Sequence, residues 1–257
     1  MTKMRIIVKK NEEEVSEEAS NLIINEIKNK EKFVLGLATG ETPIKTYAKL
    51  VNAYKQGDVD FSNVKAFNLD EYVGLEPSDV DSYSYYLHHN LLDSVNVNEE
   101  NIHLLNGETI KINQIAKDYD LKLEKNGYTD LQILGIGLNG HIGFNEPNSY
   151  YDFGTHVTDL SESTINVNKR LFSEQNKMPT KAITMGIGSI LKSKKIVLLA
   201  TGSKKDEIMD KVIFSNQITP EIPATILKLH KDVTIIMDEE AAKTYLKKAG
   251  TERENIN

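Results

Sequence analysis

The chain of 257 residues contains no cysteine, no tryptophan and only six prolines. Without cysteine it can form no disulfide, no thiolate-bound zinc or iron–sulfur site and no cysteine nucleophile. Its longest apolar stretches, 33–38 and 196–200, fall far short of the roughly 18 residues that span a bilayer. Residues 1–10 also lack the apolar region of a signal peptide. We therefore expect a cytoplasmic protein with no membrane segment.

Basic residues are fewer than acidic ones: the chain has 31 Lys and Arg and 38 Asp and Glu, which gives a net charge of −7. The acidic residues are spread along the chain, which argues against a nucleic-acid partner. An apolar fraction of 39% is enough to build a core and excludes a disordered chain. No internal repeat or flexible linker divides the sequence. We predict one domain, residues 1–257.

Short β-branched runs alternate with longer amphipathic segments, a pattern typical of a parallel sheet covered by helices. We expect βαβ units throughout. The predicted strands are 4–8, 33–38, 64–69, 131–135, 156–160, 182–185, 196–200 and 233–237. The predicted helices include one over 12–27, one opening near Pro43, and 83–92, 110–125, 205–214 and 239–248.

Ligands of open parallel sheets bind beyond the carboxyl ends of the strands, so the strand-to-helix loops are the candidate sites. The first such loop, 38–43, carries Thr39, Gly40 and Thr42 at a helix start. Backbone N–H groups and hydroxyls there can cradle a phosphate. A helix cap with a turn glycine explains the same residues equally well.

The second loop, 68–75, has two adjacent acids, Asp70 and Glu71, at the end of a core strand. One carboxylate can serve as a general base while a partner neutralises the other. The alternative is a solvated turn in which Asp70 caps a helix.

The third loop, 134–147, is rich in glycine and contains His141 and Glu146. We do not interpret it as the dinucleotide fingerprint, because Asn139 and the early His141 replace the helix entry of that motif and no acidic strand end follows at the required distance. Histidine titrates near neutrality, and Glu146 can hold one imidazole nitrogen while the other faces a substrate. A lone histidine is more often structural, but this setting favours a catalytic one.

Two cations lie in further segments: Lys205 in the loop 201–205, and Arg170 in the segment 168–170 earlier in the chain. Both residue types bind phosphate well, although either is also common as a solvated surface residue. The remaining histidines show no spacing typical of metal ligands, so we assign no metal. No P-loop and no serine-hydrolase elbow occurs in the sequence.

Taken together, these segments resemble the glucosamine-6-phosphate deaminase family. The motifs that carry the resemblance are Ala-Thr-Gly-Glu-Thr-Pro (38–43), Asn-Leu-Asp-Glu-Tyr-Val-Gly-Leu (68–75), Gly-Ile-Gly-Leu-Asn-Gly-His-Ile-Gly-Phe-Asn-Glu-Pro (135–147) and Thr-Gly-x-x-Lys (201–205). The resemblance implies a doubly wound, Rossmann-like α/β fold, with a mostly parallel sheet and helices on both faces, shared with ribose-5-phosphate isomerase and 6-phosphogluconolactonase. It further implies conversion of D-glucosamine 6-phosphate to D-fructose 6-phosphate and ammonium, without a cofactor.

The resemblance also implies roles for individual residues. Asp70 matches the base that moves a proton between C2 and C1 of the open-chain sugar. His141, supported by Asn139 and Glu146, matches the group that opens the pyranose ring. The residues that match the phosphate site are Thr39, Gly40, Thr42, Arg170 and Lys205, and Tyr83 falls in the segment that acts as a lid.

The sequence departs from the family pattern at a few positions. Many members carry Asp where this chain has Asn139, which leaves Glu146 as the one carboxylate of the ring-opening group, and Asp206 stands where a small residue is usual. His156 and Thr158 occupy the positions at which the allosteric branch carries cations. We therefore expect a non-allosteric monomer or small homo-oligomer that takes a phosphosugar.

Two alternatives stay open. A 6-phosphogluconolactonase-like hydrolase would carry Arg after the Asp-Glu pair, where this chain has Tyr72. A non-catalytic domain that senses phosphosugars would not need both Asp70 and His141.

Overall fold

The computed structural model describes residues 4–174 and 178–254, with side chains to residue 250. The strands are β1 (Arg5–Lys9), β2 (Phe33–Leu37), β3 (Val64–Asn68), β4 (Asp70–Tyr72), β5 (Ile102–His103), β6 (Leu131–Leu134), β7 (His156–Asp159), β8 (Lys181–Thr184), β9 (Lys195–Ala200) and β10 (Val233–Asp238). The α-helices are α1 (Glu12–Lys28), α2 (Ile44–Lys55), α3 (Tyr83–Asn90), α4 (Ile112–Lys125), α5 (Glu162–Asn168), α6 (Ile187–Leu191), α7 (Asp206–Phe214) and α8 (Lys243–Glu254).

Seven strands form a parallel main sheet in the order β1-β10-β9-β6-β2-β3-β5. Every residue of β2, β6 and β10 is buried, as continuous apolar strands between two helical layers should be. From β2 the chain runs outward to β3 and β5, then returns to β6 on the other side of β2. This reversal creates a switch point between β2 and β6, and the predicted doubly wound fold is confirmed.

The prediction of βαβ units throughout is wrong for two strands. β7 and β8 leave the main sheet and pair antiparallel with each other, and β4 pairs antiparallel with β8, which gives a three-stranded small sheet. A separate cluster packs against it, consisting of Tyr72, Phe144, Leu160, Phe172 and Ala182. Short apolar runs have the same composition in either sheet type, so the sequence pattern could not separate them.

Local signals place most helix starts correctly. Asn11 caps α1 by accepting from the Glu14 N–H at 3.0 Å, and the acids of the first turn lie where the helix dipole favours them. The last helix begins at Lys243 instead of Glu239, because the Asp238 carboxylate accepts from Ala241 N and holds residues 239–242 in a turn. No helix within the described ranges is long and apolar enough to cross a membrane.

Candidate active site

A cleft of about 720 Å³ lies at the carboxyl ends of β2, β6 and β9, which are neighbours in the main sheet. It is lined by residues of all four predicted loops and of the α5 segment: 38–42, 69–70, 135–144, 163–171 and 201–205, together with Glu12 and Tyr83. Parallel strands end at one edge of the sheet, so loops that are far apart in sequence meet there. Every predicted site residue except Glu146 lines this cleft, and Glu146 lies directly behind His141.

Asp70 is held by backbone pairing, since it belongs to β4 and not to a strand-to-helix loop as predicted. Its partner in the small sheet is Thr184, and the Asn68 amide donates to the Asp70 carbonyl at 2.8 Å. The side chain is 4% exposed, and its Oδ1 has no hydrogen-bond partner among the described residues. Burial, and to a smaller extent the charge of Glu71, raises the pKa of Asp70 to about 8, although a hydrogen bond with Thr39 acts in the opposite direction. A base of this kind accepts protons readily.

Glu71, the second acid of the pair, has a structural role. Its carboxylate accepts three backbone N–H bonds, from Tyr72 at 2.8 Å, Tyr83 at 2.9 Å and Ser84 at 2.8 Å. These bonds tie β4 to the first turn of α3, and Glu71 does not line the cleft. Burial raises its pKa to about 7 in spite of the three donors. Both acids are buried, so the alternative of a solvated turn is wrong.

Tyr83 begins α3 and packs into the aromatic cluster at one side of the cleft. Its ring stacks on Phe144 with centroids 5.8 Å apart, and its hydroxyl lies 3.1 Å from that of Tyr72. Asn168, two residues before Arg170, donates to the Tyr72 hydroxyl at 3.1 Å. The role of Tyr83 as part of a lid stays a prediction.

Glycine lets the third loop fold tightly around His141. The Gly137 N–H donates to the His141 carbonyl at 2.9 Å, and Gly140 takes a positive φ of 87°. A Cβ at residue 137 would lie 2.3 Å from Cε1 of the His141 ring. The imidazole therefore lies flat against a position that only glycine can fill.

His141 and Glu146 meet as predicted, and Asn139 joins them. The His141 Nδ1 lies 3.4 Å from Glu146 Oε2, to which Asn139 Nδ2 donates at 2.7 Å. Burial alone would raise the pKa of Glu146, but hydrogen bonds from His141, Thr164 and Asn139 and the charge of His141 lower it to about 2. A permanently ionised carboxylate thus orients the ring, and Nε2 is the nitrogen left for a ligand.

Lys205 and Arg170 line the cleft together with the loop 38–42. Burial lowers the pKa of Lys205 to about 8 against the charge of Glu41, and its Nζ donates to the Ile136 carbonyl at 2.5 Å. The Arg170 guanidinium makes an ion pair with Glu41, a residue of that loop. Asp206 is turned away, because its carboxylate accepts from the Thr244 N–H and hydroxyl, both at 2.7 Å. Asp206 therefore does not compete with an anion for these two cations, whereas Glu41 does so for Arg170.

Sequence reasoning missed Thr164 and Glu41. Thr164 donates to Glu146 Oε1 at 2.5 Å from α5, a helix that the sequence did not delimit. Glu41 lies within the motif 38–43, but no feature of the local sequence indicates its ion pair with Arg170, 129 positions away. The residues that the structure describes contain no group of three or more His, Asp or Glu side chains able to hold a metal ion.

A doubly wound sheet with a buried base, a histidine–carboxylate pair and two cations in one cleft defines an α/β enzyme of acid–base chemistry. A family model described as glucosamine-6-phosphate isomerases/6-phosphogluconolactonase matches residues 9–236, and the chain belongs to this family.

Relatives and solved structures agree with this assignment. The chain is 51% identical over 239 residues to the glucosamine-6-phosphate deaminase of Thermoanaerobacter sp. strain X514, covering 93% of this chain and 94% of the relative. It is 52% identical to that of Clostridium botulinum strain Kyoto, covering 93% and 98%. A solved monomeric glucosamine-6-phosphate deaminase is 39% identical with a TM-score of 0.91, covering 93% and 99%. The 6-phosphogluconolactonase of Trypanosoma brucei, 19% identical with a TM-score of 0.76 and coverage of 95% and 99%, shows the fold alone.

Proposed function

We propose that this chain converts D-glucosamine 6-phosphate to D-fructose 6-phosphate and ammonium. The observation that carries the proposal is that Asp70, the His141–Glu146 pair and two cations border one cleft. An aldose-to-ketose shift needs one group to open the ring and one base to move a proton between carbons. The deaminases at about half sequence identity support this assignment. We further propose that residues 1–257 act as one domain.

Ring opening is the work of His141. Its Nε2 removes the proton of the sugar's C1 hydroxyl and returns a proton to the ring oxygen, so that the ring C–O bond breaks and the C1 aldehyde forms. Glu146, which stays ionised next to Nδ1, stabilises the imidazolium formed between these steps. Asn139 holds Glu146 without adding a second carboxylate.

Asp70 then takes the proton from C2 and delivers it to C1, while one proton of the C2 ammonium group passes to the C1 oxygen. The product is a C1 hydroxymethyl group beside a C2 imine; water adds at C2, and ammonium leaves to give the ketose. Because the carboxylate is fixed by strand pairing and its Oδ1 is free of partners, it can reach both carbons in turn. The ammonium group at C2 of the substrate favours the ionised form of Asp70 that this step requires.

The two alternatives are weaker. Tyr72, at the position where a lactonase-like hydrolase would carry Arg, is 2% exposed and packs among Tyr83, Phe144 and Phe172. The lactonase structures also share only about a fifth of their residues with this chain. A purely sensing domain would have no use for a buried base with an unpartnered oxygen.

The decisive experiment incubates the protein with glucosamine 6-phosphate and follows ammonium and fructose 6-phosphate together. We expect equal amounts of both without added nucleotide, and the same rate after treatment with a chelator. Hydrolysis of 6-phosphogluconolactone without deamination would instead establish the lactonase alternative, and binding of the phosphosugar without turnover would establish the sensor.

The charges at the phosphate end of the cleft should affect KM in opposite directions. Lys205→Met or Arg170→Ala should raise KM by about tenfold or more, because each removes a charge-assisted hydrogen bond to phosphate. Glu41→Gln should lower KM about two- to fivefold, because phosphate no longer competes with a carboxylate for Arg170, and exposed ion pairs are weak. Initial rates against substrate concentration measure both effects.

Glu12→Gln is the matched control, since Glu12 also lines the cleft but pairs with Lys45 at 2.5 Å. If Glu12→Gln lowered KM as much as Glu41→Gln, the effect would be general repulsion of the anion and not competition for Arg170. An unchanged KM in both cation variants would show that phosphate binds elsewhere.

We also propose a monomer or small homo-oligomer without allosteric activation, located in the cytoplasm. His156 Nδ1 lies 2.9 Å from the Gly154 carbonyl and its Nε2 3.6 Å from Asp152, while the Thr158 hydroxyl donates to the Asp159 carbonyl. These positions offer no permanent cation to an anionic effector, and an activator acts only through contacts that differ between two states. Substrate curves should be hyperbolic with or without N-acetylglucosamine 6-phosphate, the activator expected from the resemblance to the allosteric branch of the family. A sigmoidal curve that the acetylated sugar makes hyperbolic would contradict this.

A further inference from the structure

Thr164 is a buried hydroxyl at the centre of the His141–Glu146 pair. Thr164 lies on α5, opposite the loop that carries His141, and the residue is only 3% exposed. The Thr164 Oγ1 lies 2.5 Å from Glu146 Oε1 and 3.3 Å from His141 Nδ1, and it accepts from the Ser161 hydroxyl at 3.0 Å. These four side chains share one hydrogen-bond network with Asn139, which donates to Glu146 and to Ser161.

Each bond between Thr164, Glu146 and His141 has one possible direction. An ionised carboxylate can only accept, so the single hydroxyl proton of Thr164 points to Glu146. The Thr164 oxygen can then meet His141 only as an acceptor, and Glu146 Oε2, 3.4 Å from the same nitrogen, is an acceptor as well. The proton of the neutral imidazole accordingly belongs on Nδ1, and Nε2 carries the lone pair.

The position of Thr164 connects this network to the other end of the cleft. Arg170 follows it by six residues, in the 3-10 turn Lys169–Leu171 that continues α5. The Arg170 Nε donates to the Val167 carbonyl at 3.2 Å, so the guanidinium is braced on the helix itself. An anion that replaces Glu41 as the partner of Arg170 would therefore be connected through α5 to Thr164 and the pair.

We propose that Thr164 is a positioning residue that fixes the proton of His141 on Nδ1 when the segment 161–171 is seated, so that phosphate binding at Arg170 prepares the histidine for ring opening. The proposal rests on the proposed function for the identity of the reaction, but the tautomer itself can be observed without substrate.

Two variants test this, Thr164→Val, which keeps the shape and removes the hydroxyl, and Thr164→Ser, which keeps the hydroxyl. Histidine labelled with ¹⁵N reports the tautomer by NMR, and His141→Gln assigns the signal. We expect the Nδ1–H form in the wild type and the serine variant, more fully populated after addition of inorganic phosphate, and a mixture of tautomers in the valine variant that phosphate does not correct.

In the deaminase assay Thr164→Val should lower kcat about tenfold and change KM less than twofold, and Thr164→Ser should restore most of the rate. Thr129→Val is the matched control, because Thr129 is 1% exposed and loses its bond to Ser193 just before β6 begins, at the end of the main sheet opposite the cleft. It should leave kcat and the His141 signal unchanged.

An unaltered tautomer in Thr164→Val would overturn the proposal whatever the activity. A serine variant as slow as the valine variant would do so too, since the methyl group and not the hydroxyl would then matter. If the wild type does not deaminate at all, the proposed function fails, while the NMR result still decides the role of Thr164.

Discussion

Asp70→Asn is expected to lower kcat by on the order of 100-fold or more, because it removes the base that moves the proton while keeping the size of the side chain. The Asn68 and Thr184 contacts that hold the residue use its backbone, so the replacement should fold. The direct measurement is exchange of the C2 proton of the substrate with solvent, which should stop in the variant. Continued exchange would mean that another group is the base.

The same substitution should stabilise the protein. The pKa of Asp70 is about 8 in the folded state and about 4 when unfolded. Between these values the folded state binds more protons, so ionising Asp70 costs stability as the pH rises from 4 to 8. Asp70→Asn removes that cost, and its Tm should exceed that of the wild type at pH 8 and approach it near pH 4.

Asp130→Asn is the control with the opposite sign. Although burial opposes it, bonds from Lys194, Lys30 and Val34 lower the pKa of Asp130, so its stabilising effect is present above the unfolded pKa and lost at lower pH. This variant should therefore have a lower Tm at pH 8. A loss of Tm in Asp70→Asn as well would show that Asp70 does not carry the destabilising charge.

Gly137→Ala is expected to reduce kcat by about 100-fold, because an added Cβ would lie 2.3 to 2.5 Å from three atoms of the His141 ring. The ring must move, and its contacts with Glu146 and Thr164, at 3.4 and 3.3 Å, leave it no second position with the same partners. Single-turnover rates and the ¹⁵N signal of His141 should both change.

Gly135→Ala provides the comparison within the same loop. A Cβ at residue 135 meets no heavy atom within 4 Å, and its φ does not lie in the left-handed region. This variant should keep nearly full activity. Equal losses in both variants would indicate that the loop as a whole tolerates no alanine, and the specific contact with His141 would lose its support.

Six of the seven strands of the main sheet were predictable from their apolar runs, but β5, with only two residues, was missed. The positions of the four loops follow from the rule that parallel strands end together. The small sheet was not predictable, because β4 has only three residues, Asp70 to Tyr72, and two of them are acids. An acidic strand contradicts β-propensity, and only the pairing with β8 and the three donors to Glu71 make it stable.

At the site, the sequence indicated residues whose chemistry is unusual for their place, such as His141 in a glycine-rich loop. It could not indicate Thr164, because a threonine in a polar segment has no local peculiarity, and its role comes from a contact with Glu146 across 18 positions. Nor could it separate Asp70 from Glu71, whose side chains leave the strand on opposite faces.

The small sheet also bears on how the molecule loses its activity under denaturing conditions. Its strands have only three, four and four residues, and the cluster on one of its faces contains five buried side chains. Only Ile183 of β8 is a buried member of the far larger cluster around the main sheet. Elements with so little buried apolar surface open at a lower free energy than the rest of a protein. Because Asp70 lies on that sheet, low concentrations of urea should abolish turnover while the circular dichroism signal of the main sheet is retained. Dilution of the urea should then restore turnover without complete refolding of the chain.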